Sequence, residues 1–67
     1  MELSARNQLQ GTVTNVKLGG VMAEVTLDVN GQTVVSVITR ISAERLTLKT
    51  GDRVTAIIKA TEIMIGK

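Results

Sequence analysis

Residues 21 to 31 constrain the fold of this chain more than any other stretch. Val21, Ala23, Val25, Leu27 and Val29 alternate with Met22, Glu24, Thr26 and Asp28, the period of two expected of a strand with one face buried. Asn30-Gly31 follows at once, and residues 32 to 38 again read as strand. Asn-Gly accepts the positive φ angles of a tight primed turn, so the two runs are predicted to form a β-hairpin.

The rest of the chain reads as strands around that hairpin. Residues 3 to 18 carry Leu9, Val13, Val16 and Leu18, which predicts a long first strand with a bulge or bend at Gly11 and an end at Gly19-Gly20. Ser42-Ala43-Glu44-Arg45-Leu46 has a capping residue followed by helix formers, so one or two helical turns are expected. Lys49-Thr50-Gly51-Asp52 is a turn. The last stretch alternates at Val54, Ala56 and Ile58, breaks at polar Lys59, Thr61 and Glu62, and resumes at Ile63, Met64 and Ile65 as a second strand piece. About five strands and one short helix predict an all-β, OB-like barrel, with residues 1–67 as a single domain.

Composition bears on how so short a chain stays folded. Of its 67 residues, 24 are Val, Ile or Thr, a strong strand bias, and none is Phe, Tyr, Trp or Pro. A core of this size is marginal alone and is usually supported by disulfides, a metal or self-association. Cys and His are both absent, which removes disulfides and zinc sites and leaves oligomerisation. The pairs Val34-Val35, Val37-Ile38 and Ile57-Ile58 put apolar side chains on both faces of their strands. A thin barrel hides only one face, so a homo-oligomer is expected.

Several function classes fall away. With no His, Cys or Tyr to move protons or attack, no catalytic residues are expected and the chain is read as a non-enzyme. An OB-like barrel that binds nucleic acid stacks bases on aromatic side chains, and this chain has none. A nucleic-acid or protein-interaction module therefore stands as the alternative rather than the main reading. The net charge of +2 suits a small anion better than a polymer or a membrane surface. No apolar run approaches the ~20 residues of a spanning helix and no leader is legible, so a cytoplasmic, membrane-free location is the default expectation.

Hydrogen-bond donors gather at three places: Ser4-Ala5-Arg6-Asn7, Thr39-Arg40-Ile41-Ser42 and Lys59-Ala60-Thr61. Each falls at a predicted strand end or bend, where backbone N–H groups leave the sheet ladder. Together they suit an anion. Each residue also has a plainer explanation: Ser42 as a helix cap, Thr39 as a strand former, Lys59 as a solvated charge. Spacing does not choose between these.

The wording of two segments does more. SARNQLQG at residues 4 to 11 and IIKATEIMIG at residues 57 to 66 resemble the molbindin family of small molybdenum-pterin-binding proteins, over essentially the whole chain. The resemblance implies an OB-like barrel, a dimer that exchanges first strands, and a hexamer built as a trimer of dimers. It implies oxyanion sites between subunits, with Ser4, Ala5 and Arg6 from one chain, and Thr39, Ser42, Lys59 and the Ala60 backbone from another. It also implies a second site near a three-fold axis, for which Gly19, Gly20 and Val21 are the candidates, although a hairpin between the first two strands explains the glycines better. Arg40 is given no role.

The expected ligand is molybdate, with tungstate possible and no bare metal cation. Molybdate at neutral pH is a dianion without a proton to donate, so a cage of donors alone satisfies it, whereas hydrogen phosphate also needs an acceptor. Intracellular storage, buffering or homeostasis of molybdenum is the simplest role for such a chain.

Overall fold

The computed structural model describes residues 2–67. Its elements run in the order β1 (Asn7–Leu18), β2 (Met22–Val29), β3 (Gln32–Thr39), α1 (Arg40–Arg45), β4 (Arg53–Ile58) and a single 3-10 turn at Ala60–Glu62. The four strands form one antiparallel sheet in the order β3-β2-β1-β4.

The hairpin forms as its pattern requires. Asn30 and Gly31 take φ values of 50° and 84°, the left-handed conformations of a primed two-residue turn. Val29 pairs with Gln32, and the ladder runs without a break to Met22 and Thr39. Ala23, Val25 and Leu27 point inward and are buried. Val25 and Leu27 close on Val13 of β1 to make the core, flanked by half-buried Val16, Val34, Ile38, Leu48, Val54 and Ala56. Val21, expected at the head of this strand, instead lies in the turn before β2 and is 76% exposed.

β1 is the spine. Its N-terminal half pairs with β4, from Asn7 opposite Ile58 to Thr12 opposite Arg53, and its C-terminal half pairs with β2, from Thr12 opposite Asp28 to Leu18 opposite Ala23. The register slips between Val13 and Asn15, so the bulge lies at Thr14 and not at Gly11. Gly11 serves close approach instead: a Cβ there would stand 2.8 Å from the Asp28 carbonyl oxygen and 2.8 Å from Cγ2 of Val29. The Lys49–Asp52 turn clips onto the bulge, with Val13 N–H donating to the Asp52 carbonyl at 2.9 Å and Gly51 N–H to the Val13 carbonyl at 2.8 Å.

Three expectations are corrected. The helix begins at Arg40 rather than Ser42, because Thr39 is its N-cap: extended at φ −69°, ψ 149°, it accepts the Ser42 N–H on its hydroxyl. The fifth strand is absent among the described residues. Residues 63–65 have strand-forming side chains but pair with neither free edge of the sheet, and Met64 and Ile65 are 93% and 90% exposed. With four strands the sheet does not close into a barrel. Its β3 and β4 edges instead face an apolar cleft of about 470 Å3, lined by residues such as Val34, Ile38, Leu46, Val54 and Ile58. Within the chain, β1 pairs with β4 over its N-terminal half and with β2 over its C-terminal half.

Candidate functional site

The sheet register sorts the donor clusters into two groups. Ser4, Ala5 and Arg6 lead into β1, and Lys59 and Ala60 follow β4. Asn7 is opposite Ile58, so the next residues outward along this antiparallel pair are Arg6 and Lys59. Two side-chain bonds hold this end together: Asn7 Nδ2 donates to the Ile58 carbonyl at 3.3 Å, and Gln8 Nε2 donates to the Ala5 carbonyl at 2.9 Å. The 3-10 turn after Lys59 closes with Glu62 N–H donating to the Lys59 carbonyl at 2.9 Å. Ser4, Arg6, Lys59 and Ala60 are exposed, and Ala5 is half-buried.

Thr39 and Ser42 form the second group. The Thr39 hydroxyl donates to Ser42 Oγ at 2.8 Å and accepts the Ser42 N–H at 3.1 Å. This is local chemistry: an N-cap threonine and the third helical residue are within reach of each other by helix geometry. Both hydroxyls remain exposed. Thr39 is paired with Met22, which places this group beside the Gly19–Val21 turn, at the C-terminal end of β1.

The two groups thus lie at opposite ends of β1. Asn7 and Leu18 are the two ends of this 12-residue strand, which carries its bulge at Thr14, and Ile38 and Ile58, next to Thr39 and Lys59, both line the cleft between β3 and β4. The register sets Arg6 beside Lys59, and hydrogen bonds join Thr39 to Ser42. Among the described residues no hydrogen bond joins Lys59 to Thr39 or Ser42.

The Gly19–Val21 turn has one N–H group and two carbonyls engaged within the chain. Gly19 N–H donates to the Met22 carbonyl at 2.7 Å, and the carbonyls of Gly19 and Val21 both accept from Arg40, through Nη1 at 3.0 Å and the backbone N–H at 2.8 Å. Arg40 is the residue that the sequence left without a role. Its contact to Gly19 spans 21 positions and has no local signature.

The electrostatics favour an anion at the first group. Among the described residues the ion pairs are Arg40–Glu44 at 3.7 Å and Lys49–Asp52 at 3.0 Å. Neither involves Arg6 or Lys59, so no carboxylate neutralises those two cations. Among the described residues, too, no helix is long and apolar enough to cross a membrane.

Comparison with known proteins finds relatives that match nearly the whole chain. Residues 3–65 match the model of the TOBE domain. The chain is 50% identical over 66 residues to molybdenum-pterin-binding protein 3 of Clostridium pasteurianum, covering 97% of each chain. Among solved structures, MopII of the same organism in an apo form superposes with a TM-score of 0.93 at 43% identity, covering 98% of this chain and 100% of that one. A molybdate-binding protein from Sporomusa ovata superposes with a TM-score of 0.96 at 43% identity, covering all of both chains. These relatives are binding proteins and not enzymes.

Proposed function

Since the chain belongs to the TOBE domain family, as one of its molybdenum-pterin-binding or molbindin members, we propose that it binds molybdate at sites completed between copies of itself. In this reading residues 1–67 act as one binding domain. Ser4, Ala5, Arg6, Lys59 and Ala60 of one copy meet Thr39 and Ser42 of another.

The observation that carries the reading is the separation of the two donor groups. An oxyanion spans a few ångström, whereas Arg6 and Thr39 stand at opposite ends of a 12-residue strand. A second chain that docks its Thr39–Ser42 end against the Arg6 end of the first brings donors of both groups to one anion. The donor set supports the ligand class: a guanidinium, an ammonium, hydroxyls and backbone N–H groups satisfy an unprotonated tetrahedral dianion on every side. The names of the relatives support molybdenum as its central atom. Tungstate, with the same charge and shape, fits the same cage.

Self-association has independent support. Val35, Val37 and Ile57 are 56%, 61% and 44% exposed on the sheet, and the cleft between β3 and β4 is apolar. Apolar area of this extent on so small a unit is normally covered. A hexamer of three dimers fits the site-sharing reading, and storage or buffering of molybdenum is the role that reversible binding serves.

Calorimetric titration of the folded protein with molybdate, tungstate, sulfate and a single-stranded oligonucleotide tests the reading. Heat is expected with molybdate and tungstate and none with the oligonucleotide. No heat with molybdate, alongside salt-sensitive binding of the oligonucleotide, overturns it in favour of a nucleic-acid-binding module.

A further inference from the structure

We infer that Arg40 is the positioning residue of the Thr39–Ser42 half-site: it ties the first turn of α1 to the β1–β2 turn and so fixes where the two hydroxyls point. This inference rests on the proposed reading that Thr39 and Ser42 hold the oxyanion.

The helix that carries these hydroxyls has six residues, too few to be stable by its own hydrogen bonds. Its position therefore depends on outside contacts. At its C-terminal end Ala43 is buried, and the chain reverses with Leu48 N–H bonded to the Ala43 carbonyl at 3.2 Å. At its N-terminal end, just beyond the Thr39–Met22 pair of the ladder, the outside hydrogen bonds are those of Arg40. Its backbone N–H donates to the Val21 carbonyl at 2.8 Å and its Nη1 donates to the Gly19 carbonyl at 3.0 Å, so one residue grips both ends of a three-residue turn. Nε faces the Glu44 carboxylate at 3.7 Å.

That placement separates position from charge. The guanidinium is turned to a carbonyl on one side and a carboxylate on the other, and Glu44 offsets its charge. What Arg40 contributes is a planar fork of fixed geometry, which spans both partners. A lysine carries the same charge on a flexible stem and reaches one partner at a time. Thr39 and Ser42 flank Arg40, so a shift of this turn moves both hydroxyls.

The test uses the full chain with Arg40→Ala, Arg40→Lys and Glu44→Gln. Two readouts are taken: titration with molybdate and with sulfate at matched ionic strength, and amide hydrogen exchange of Ser42 without ligand. Both Arg40 variants are expected to weaken molybdate binding about tenfold, as loss of an orienting partner does, to lower the preference for molybdate over sulfate, and to speed exchange of the Ser42 amide. Glu44→Gln, which leaves the Gly19 bond in place and keeps a side-chain oxygen for Nε to face, is expected to stay close to wild type in all three. Full affinity in Arg40→Lys would overturn the inference, because charge alone would then be sufficient. So would unchanged Ser42 exchange in Arg40→Ala, whatever the wild type binds. Wild-type protein that takes no molybdate while Ser42 exchange responds to Arg40 would instead overturn the reading of the site, with the mechanical link intact.

Discussion

The side chain of Asn7 reaches across 51 positions of sequence to donate to the Ile58 carbonyl at 3.3 Å. This bond joins the first residue of β1 to the last residue of β4, immediately inside Arg6 and Lys59. It holds the two cations at one end of the sheet, where their mutual repulsion would otherwise help the strand ends to fray. Asn7→Ala is expected to cost about 1 kcal/mol of stability, the usual contribution of such a bond. It is also expected to weaken molybdate binding more than a surface substitution of equal thermal effect does. Thermal unfolding and titration of the same samples check both.

Thr47 follows α1 with φ at 52°, a conformation that costs a β-branched residue energy and suits glycine. It is held there by a full helix-terminating motif: Thr47 N–H donates to the Glu44 carbonyl at 3.0 Å, and Leu48 N–H to the Ala43 carbonyl at 3.2 Å. Thr47→Gly is expected to raise stability by about 1 kcal/mol, the released left-handed strain outweighing the added freedom of the unfolded chain. A melting temperature unchanged or lowered by the substitution contradicts this.

The Asp52 carboxyl is held below its ordinary value of 3.8 by the hydrogen bond from the Lys49 ammonium, assisted by the Lys49 backbone N–H. A carboxylate depressed in the folded state contributes stability that is fully present above its unfolded value and is lost as the pH falls through its folded value. Asp52→Asn is therefore expected to lower the melting temperature at neutral pH, and the gap to wild type is expected to narrow below about pH 4. A gap that stays constant down to about pH 2 would show that the carboxylate charge is not involved.

Legibility of the fold tracked how local each cause is. The β2–β3 hairpin was readable because alternation and Asn30-Gly31 act within a few residues. The helix start was displaced because Thr39 and Ser42 are both capping types, and only backbone geometry decides which one caps the other. The pattern around Gly11 suggests a bulge or bend, yet the reason for a glycine there is the Asp28 carbonyl of the neighbouring strand, which no local pattern reveals. Ile63–Ile65 has the side chains of a strand, but a strand also needs a ladder, and the ladder is a property of the neighbours. For the site, the donor clusters were visible as composition, whereas the grouping of Lys59 with Arg6 follows from the β1–β4 register. Arg40 was opaque for the same reason, since its partner Gly19 is tertiary.

The central claim is that Arg6 and Ser42 act on one oxyanion from different chains. Arg6→Ala and Ser42→Ala should each bind molybdate poorly, since each removes a donor from the dianion. The two variants are then refolded together in equal amounts, with hybrid formation confirmed by mass spectrometry. With random pairing, roughly a quarter of the wild-type high-affinity sites should return, because some sites draw an intact Arg6 from one variant and an intact Ser42 from the other. Titration of confirmed hybrids with no recovered high-affinity sites would contradict the account, as every site would then take both residues from a single chain.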